Sequence, residues 1–136
     1  MQVTKIITFA AAHRLFNYKG ACANIHGHNY KVELSVEGDC IGDEDGLLMD
    51  FKSVKKLLQE EVMGRFDHKL ILFSEDPLVG VLRRQENVDL LVVPYNPTVE
   101  EMASHIRHLI TKKLPEHVWF HSVKIWETDT SFCVIK

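Results

Sequence analysis

Residues 29–37 read Asn-Tyr-Lys-Val-Glu-Leu-Ser-Val-Glu and alternate between polar and apolar side chains along their whole length. Strict alternation is typical of a β-strand with one buried face, because successive side chains of a strand point to opposite sides. His26-Gly27-His28 stands directly before this stretch. If the strand extends through these residues, both imidazoles point to the same face. The segment therefore predicts a half-buried strand that carries two histidines at its start.

Three more segments predict strands. Residues 3–12 alternate loosely and predict a strand that ends near His13, and a polar loop joins it to the strand described above. Near the end of the chain, residues 118–127 and 131–135 predict two strands with a turn at residues 128–130. With the first two, these make four strands.

Two amphipathic stretches predict helices. Asp50 can cap a helix whose apolar residues recur at helical spacing through Val62. Thr98-Val-Glu-Glu101 has the spacing of a capping box and predicts a helix that ends before Pro115. The order strand, strand, helix, helix, strand, strand favours an α+β fold, a four-stranded antiparallel sheet with two helices on one face.

The segment between these helices is harder to interpret. Leu78–Arg84 is consistent with one or two helical turns, and Val88–Val93 is a short apolar run of strand type. Pro94 and Pro97 then interrupt any regular structure.

Composition limits the functional classes. A chain of 136 residues predicts a single domain spanning residues 1–136. A net charge of -3 gives no reason to expect nucleic acid or an anionic membrane as partner. No apolar run approaches the roughly 20 residues that span a bilayer, and the N-terminus shows no signal-peptide pattern. Three cysteines without a Cys-x-x-Cys pair favour a reducing, cytoplasmic location.

Three histidines fall where they can form a metal site. His26 and His28 share a strand face, and pairing with the preceding strand would bring His13 to them. Three neutral imidazoles suit Zn²⁺ and leave a tetrahedral position open, which is typical of catalytic zinc sites. His-x-His alone is a weak signal, because most strand histidines are ordinary surface or core residues. The third histidine and a nearby cysteine favour zinc over that alternative.

That cysteine is Cys22, in the polar loop four residues before His26. Most lone cysteines are small buried hydrophobic residues, which is our interpretation of Cys40 and Cys133. Beside a cation, Cys22 would instead be a reactive thiolate. It could also be a fourth zinc ligand that closes a structural site, and the spacing leaves both roles open.

Six short motifs, in this order along the chain, resemble those of the 6-pyruvoyl-tetrahydropterin synthase family, which includes 6-carboxytetrahydropterin synthase. They are Phe9-Ala-Ala-Ala-His13-Arg-Leu, Cys22-x-x-x-His26-Gly-His28-Asn-Tyr, Gly46-Leu-Leu-Met-Asp50-Phe51, Phe66-Asp67-His68-Lys69, Asn96-Pro97-Thr98-x-Glu100 and Trp126-Glu127-Thr128. The resemblance spans nearly the whole chain.

The resemblance implies a role for each matching residue at the reaction centre. His13, His26 and His28 match the zinc ligands, and Cys22 matches the catalytic base. Asp67 and His68 match a pair that a neighbouring subunit contributes to the same site, although on its own this pair would be interpreted as a polar turn after a helix.

The resemblance also implies where the pterin binds. Glu127 matches the carboxylate that anchors it, since an ionised carboxylate can accept two parallel hydrogen bonds from an amino-pyrimidine edge. On its own, Glu127 would be an ordinary acid at a strand end. Thr98 and Glu100 lie at the pterin-pocket segment, although Thr98 can also serve only as a helix cap.

The family likeness further implies the tunnelling fold (T-fold), in which trimers form a barrel and two trimers stack into a hexamer with active sites between subunits. Three residues between Cys22 and His26 resemble the carboxy-forming enzymes, whereas animal-type pyruvoyl synthases have five. The expected function is therefore zinc-dependent formation of 6-carboxy-5,6,7,8-tetrahydropterin, acetaldehyde and triphosphate from 7,8-dihydroneopterin triphosphate, in queuosine biosynthesis. The alternatives are a 6-pyruvoyl-tetrahydropterin synthase, a dihydroneopterin aldolase and a non-catalytic zinc- or pterin-binding protein.

Overall fold

The computed structural model of the protein describes residues 1–39 and 46–136. Cys40, interpreted above as a buried hydrophobic residue, lies outside these ranges. Within them, no helix is long and apolar enough to cross a membrane.

Six strands form one sheet in the order β4-β3-β1-β2-β5-β6. They are β1 (Gln2–His13), β2 (His26–Glu37), β3 (Leu70–Phe73), β4 (Leu90–Val93), β5 (Trp119–Trp126) and β6 (Phe132–Ile135). The β1–β2, β2–β5 and β5–β6 pairs are antiparallel, which confirms the four predicted strands.

The prediction of a four-stranded, wholly antiparallel sheet is wrong. β3 pairs parallel to β1, and β4 pairs parallel to β3, so the sheet is mixed and has six strands. Both additional strands have only four residues, and their side chains are continuous apolar runs without alternation. Periodicity does not distinguish such a run from a buried helical turn.

The helices begin where the sequence predicts. Asp50 accepts a hydrogen bond from the Lys52 amide at 2.9 Å, and Thr98 Oγ1 accepts one from the Glu101 amide at 3.3 Å. The helical segments are α1 (Phe51–Leu58), a π-helical turn (Gln59–Met63), α2 (Gly64–Phe66), α3 (Leu78–Leu82) and α4 (Val99–Thr111). A short 3₁₀ turn, Ala21–Ala23, lies between β1 and β2.

The core lies between one sheet face and helices α1 and α4. Phe9 and Val32 point into it from β1 and β2, and Leu58 and Ile106 pack onto it from the helices. Each fully buried side chain of this kind contributes about 1.5–3 kcal/mol. The β1–β2 register sets His13 opposite His26 and Ala11 opposite His28. The three histidines therefore continue the core-facing rows to the end of the strand pair.

Candidate metal centre

The side chains of His13, His26 and His28 converge at this end of the sheet. One ring nitrogen from each forms a set whose members all lie within 4.8 Å of one another. His13 Nε2 and His26 Nε2 are 3.2 Å apart. We call these residues the three-histidine cluster. The sequence prediction that paired strands bring them together is confirmed.

Main-chain carbonyls orient two of the three rings. His13 Nδ1 lies 2.7 Å from the carbonyl oxygen of Pro97, and His26 Nδ1 lies 2.8 Å from that of Asn24. A carbonyl can only accept, so each Nδ1 carries the proton and each Nε2 of the neutral ring has a free lone pair. Hydrogen bonding of one ring nitrogen in this way typically orients a histidine ligand.

The converging ring nitrogens fit a cation. Two Nε2 lone pairs at 3.2 Å repel each other unless a proton or a metal ion lies between them. His28 Nε2 is buried and has no hydrogen-bond partner among the described residues. Buried polar atoms without partners are uncommon in folded proteins. A set of three imidazole nitrogens is also a donor set that suits Zn²⁺.

Burial favours the neutral form of two of the three rings. Desolvation lowers the pKa of His13 and that of His28 below the usual value, which favours the neutral rings. Glu127 acts in the opposite direction, since its Oε1 lies 3.5 Å from His13 Nε2 and 3.7 Å from His28 Nε2. Its side chain remains 29% exposed. A carboxylate that is both near the cluster and open to solvent can contact a bound ligand.

Cys22 lies in the 3₁₀ turn and is half-buried. Its carbonyl accepts a hydrogen bond from the Leu15 amide at 2.8 Å, which closes the base of the loop. We call residues 14–25, which join β1 to β2, the thiol loop. Across residues 1–39 and 46–136, the thiol is not among the ligand atoms that converge within 4.8 Å. This arrangement sets the thiol apart from the three nitrogens.

Asp67 and His68 form a pair at the end of α2. Asp67 Oδ1 lies 3.0 Å from His68 Nδ1 and also accepts the Ala10 amide at 3.0 Å. Burial raises the pKa of Asp67, but the hydrogen bond from Ala10 is the largest influence, and the pKa lies below its usual value. The His68 backbone has φ 59°, a conformation uncommon for residues other than glycine and often found at functional sites. Its side chain is 82% exposed.

His68 borders a cavity on the sheet face opposite the core. The cavity has a volume of about 540 Å³, and its floor includes the small residues Ala10, Ala12 and Gly27. A Cβ at Gly27 would lie 3.3 Å from the Ala11 carbonyl oxygen, which is a tight contact that glycine avoids. Among the described residues, no hydrogen bond or ion pair joins His68 to the cluster or to Cys22. The described hydrogen bonds and ion pairs of one chain therefore leave His68 unconnected to the cluster and to Cys22, although His28 lines the same cavity.

The remaining candidate residues lie around α4 and the β5–β6 hairpin. Thr98 caps α4 through its hydroxyl, and Glu100 is exposed in the first turn of that helix. Glu127 follows β5 directly, and its amide donates to the Ser131 carbonyl across the turn at 3.1 Å. Cys133 is half-buried against the core.

Several groups that support the site have roles that residue type alone does not identify. The carbonyls of Asn24 and Pro97 orient two rings, and any residue can supply a carbonyl. Asp76 is fully buried and forms a two-point ion pair with Arg14, with distances of 2.6 Å and 2.8 Å. Two of the three guanidinium nitrogens of Arg14 are engaged by this carboxylate.

Comparison with known proteins gives consistent matches along the chain. A family model described as 6-pyruvoyl tetrahydropterin synthase matches residues 2–136. The 6-carboxy-5,6,7,8-tetrahydropterin synthase of Haemophilus influenzae is 30% identical, with 97% of this chain and 96% of that protein covered. The human 6-pyruvoyl tetrahydrobiopterin synthase is 34% identical, with 99% of this chain and 90% of that protein covered.

The solved structure of Plasmodium vivax 6-pyruvoyltetrahydropterin synthase superposes with a TM-score of 0.74 at 19% identity, over 99% of this chain and 97% of that one. The α+β architecture is thus that of the T-fold proteins, as the sequence predicts. Within that class, the chain belongs to the 6-pyruvoyl tetrahydropterin synthase family.

Proposed function

We propose that the protein is a zinc-dependent 6-carboxy-5,6,7,8-tetrahydropterin synthase. It would convert 7,8-dihydroneopterin triphosphate to 6-carboxytetrahydropterin with release of acetaldehyde and triphosphate, a step of queuosine biosynthesis. The observation that carries this proposal is the three-histidine cluster, in which one ring nitrogen from each residue lies within 4.8 Å of the other two. Support for the pterin substrate comes from the relatives that are named as pterin synthases.

The cluster would hold the metal, with His13 and His26 already oriented by carbonyls. When bound, the zinc ion would supply the positive charge that polarises the hydroxyl groups of the substrate side chain. Glu127, next to the cluster and partly open to solvent, would accept two hydrogen bonds from the amino-pyrimidine edge of the pterin. Thr98 and Glu100 would line the same pocket from the start of α4.

Proton transfer would fall to Cys22 and His68. The Cys22 thiolate would remove a proton from the substrate side chain as a general base. His68 would act as its acid–base partner, and the Asp67 carboxylate beside its Nδ1 would orient the ring. Because His68 faces the sheet side opposite the core, we propose that it serves the cluster of a neighbouring subunit. This requires at least two subunits, and the T-fold barrel of two stacked trimers would meet the requirement.

The identity of the product distinguishes two candidate functions. The three-residue spacing between Cys22 and His26 resembles carboxy-forming enzymes, and the Haemophilus influenzae relative carries that name. The 34% identity to the human 6-pyruvoyl tetrahydrobiopterin synthase favours the second candidate, elimination of triphosphate without cleavage of the side chain. Mass spectrometry of the products formed by zinc-loaded protein from 7,8-dihydroneopterin triphosphate tests the proposal. A 6-pyruvoyl product would support the second candidate.

A further inference from the structure

Residues 96–98, between β4 and α4, form a tight corner that contacts both the thiol loop and the three-histidine cluster. The Thr98 amide donates to the Asn96 carbonyl at 2.7 Å, so the chain turns around Pro97 within three residues. Proline suits the centre of such a turn because its ring restricts φ to about −65°, close to the value of an inverse γ-turn. Thr98 then caps α4. The turn around Pro97 and the start of α4 therefore both restrict the conformation of residues 96–98.

The side-chain amide of Asn96 forms two hydrogen bonds to the thiol loop. Its Oδ1 accepts the Phe16 amide at 2.8 Å, and its Nδ2 donates to the Phe16 carbonyl at 2.9 Å. One side chain thus satisfies both main-chain groups of a single residue 80 positions away. The next contact along the loop is the Leu15 amide on the Cys22 carbonyl. Asn96 is therefore linked to the backbone of Cys22 through two consecutive residues.

The neighbouring residue of the corner contacts the cluster. The Pro97 carbonyl accepts the proton of His13 Nδ1 at 2.7 Å, and both Pro97 and His13 are buried. Asn96 and Pro97 are adjacent in a restricted turn, so the thiol loop and the His13 ring are held by one rigid element. A displacement of this corner would move both groups together.

We propose that Asn96 is a positioning residue, which sets the place of the Cys22 thiol relative to the three-histidine cluster through its two hydrogen bonds to Phe16. The inference rests on the proposed function insofar as Cys22 is the catalytic base. A second consequence does not depend on turnover. Asn96 orders the thiol loop, in which Cys22 is half-buried. Loss of the Asn96 hydrogen bonds must therefore change the rate at which the Cys22 thiol reacts.

The test compares Asn96→Ala with Asp50→Ala, a variant that removes the cap of α1 and that no described hydrogen bond connects to the thiol loop. Both variants lose helix-end or loop hydrogen bonds and should show lower Tm values, so Asp50→Ala reports the effect of destabilisation alone. Iodoacetamide labelling of Cys22 is followed at the peptide level, which separates it from the other cysteines. In parallel, zinc content, kcat and KM are measured with 7,8-dihydroneopterin triphosphate.

In Asn96→Ala, Cys22 should be alkylated several-fold faster than in the wild-type protein, because the loop is released. The kcat value should fall by roughly ten- to hundredfold, since a misplacement of about 1 Å can have an effect of that size, while KM and zinc content change little. Asn96→Asp keeps the acceptor for the Phe16 amide but cannot donate to its carbonyl, and should share both defects. Asp50→Ala should match the wild-type protein in both measurements.

Equal alkylation rates and equal kcat values in Asn96→Ala and Asp50→Ala would overturn the inference. A wild-type protein that does not turn over the substrate would contradict the proposed function, and the alkylation rates would still decide the role of Asn96. Normal wild-type turnover with an unaltered Asn96→Ala variant would reject only the positioning role.

Discussion

The Nε2 atoms of His13 and His26 lie 3.2 Å apart, and the Nδ1 of each ring faces a main-chain carbonyl oxygen. Two lone pairs held at this distance favour a shared cation. The β1–β2 register places the two residues directly opposite each other. The proposed metal centre thus follows from strand pairing.

The His26→Ala and His28→Ala variants should each lose bound zinc, because each removes one of the three nitrogens that would bind it. Metal analysis by mass spectrometry measures this. His121→Ala is a matched control, since His121 contacts Glu37 through its Nδ1 and lies outside the cluster. Full zinc retention in either cluster variant would contradict the ligand assignment.

The Cys22→Ala and His68→Ala variants should each be inactive alone and regain activity when mixed. In a symmetric oligomer formed at random from equal amounts, about a quarter of the shared sites combine an intact thiol with an intact imidazole. The measurement is turnover after joint refolding, with native mass spectrometry to verify mixing.

The control for this experiment mixes His68→Ala with Asp67→Asn. Both changes affect the pair that one subunit contributes, so no site regains an intact Asp67–His68 pair and activity should stay absent. Verified mixed oligomers of Cys22→Ala and His68→Ala without activity would show that the site is not shared.

Glu127→Gln should weaken binding of a pterin product analogue by roughly ten- to hundredfold, because hydrogen bonds to a charged partner contribute about 1.5–3 kcal/mol. Zinc content should not change. Isothermal titration calorimetry measures the affinity, with the exposed Glu116→Gln as control. Unaltered affinity would place the anchor elsewhere, and zinc loss would indicate that Glu127 is itself a metal ligand.

Asp76→Asn should lower the free energy of unfolding at neutral pH by about 3 kcal/mol, the lower end of the range for breaking a buried ion pair, since Arg14 is partly exposed and can be hydrated. Urea denaturation measures the difference.

The same variant should alter the pH dependence of stability. Burial raises the pKa of Asp76, but hydrogen bonds from Arg14 and the Leu78 amide outweigh it and hold the pKa below the usual 3.8. A depressed folded-state pKa stabilises the protein above the unfolded value, and this contribution is lost as the pH falls through the folded value. The difference between wild type and Asp76→Asn should therefore shrink below about pH 4. A constant difference down to pH 3 would contradict this.

Local patterns in the sequence predict the elements that carry the site. Alternation identifies β2, and the capping box at Thr98 identifies the start of α4. Local patterns do not place the parallel strands β3 and β4 in the sheet, because a four-residue apolar run has no diagnostic period. Tertiary packing decides which strand such a run pairs with. The strand order β4-β3-β1 depends on the pairing of Ala12 with Leu70, 58 positions apart, and of Leu70 with Leu90, 20 positions apart.

In the candidate site, too, some residues can be predicted from the sequence and others cannot. The histidines and Cys22 can be identified because their side-chain types are unusual at those positions. The Asn24 carbonyl orients His26 locally. The Pro97 carbonyl on His13, the Asn96 amide on the thiol loop and the Asp76 carboxylate on Arg14 each act across more than 60 residues of sequence. No local pattern encodes such an approach.

Cys22→Ala tests whether the thiol acts apart from the metal. The variant should keep its zinc, because three histidines remain, and should lose roughly 10²–10⁴-fold in turnover, as expected for removal of a general base. Loss of zinc would instead identify Cys22 as a fourth ligand in a closed structural site.

The most direct test of the proposed function is the amount of acetaldehyde released per triphosphate when the zinc-loaded wild-type protein acts on 7,8-dihydroneopterin triphosphate. We predict equal amounts of the two, together with 6-carboxytetrahydropterin. Release of triphosphate without acetaldehyde, accompanied by 6-pyruvoyl-tetrahydropterin, would contradict the proposal and assign the protein to its second candidate function.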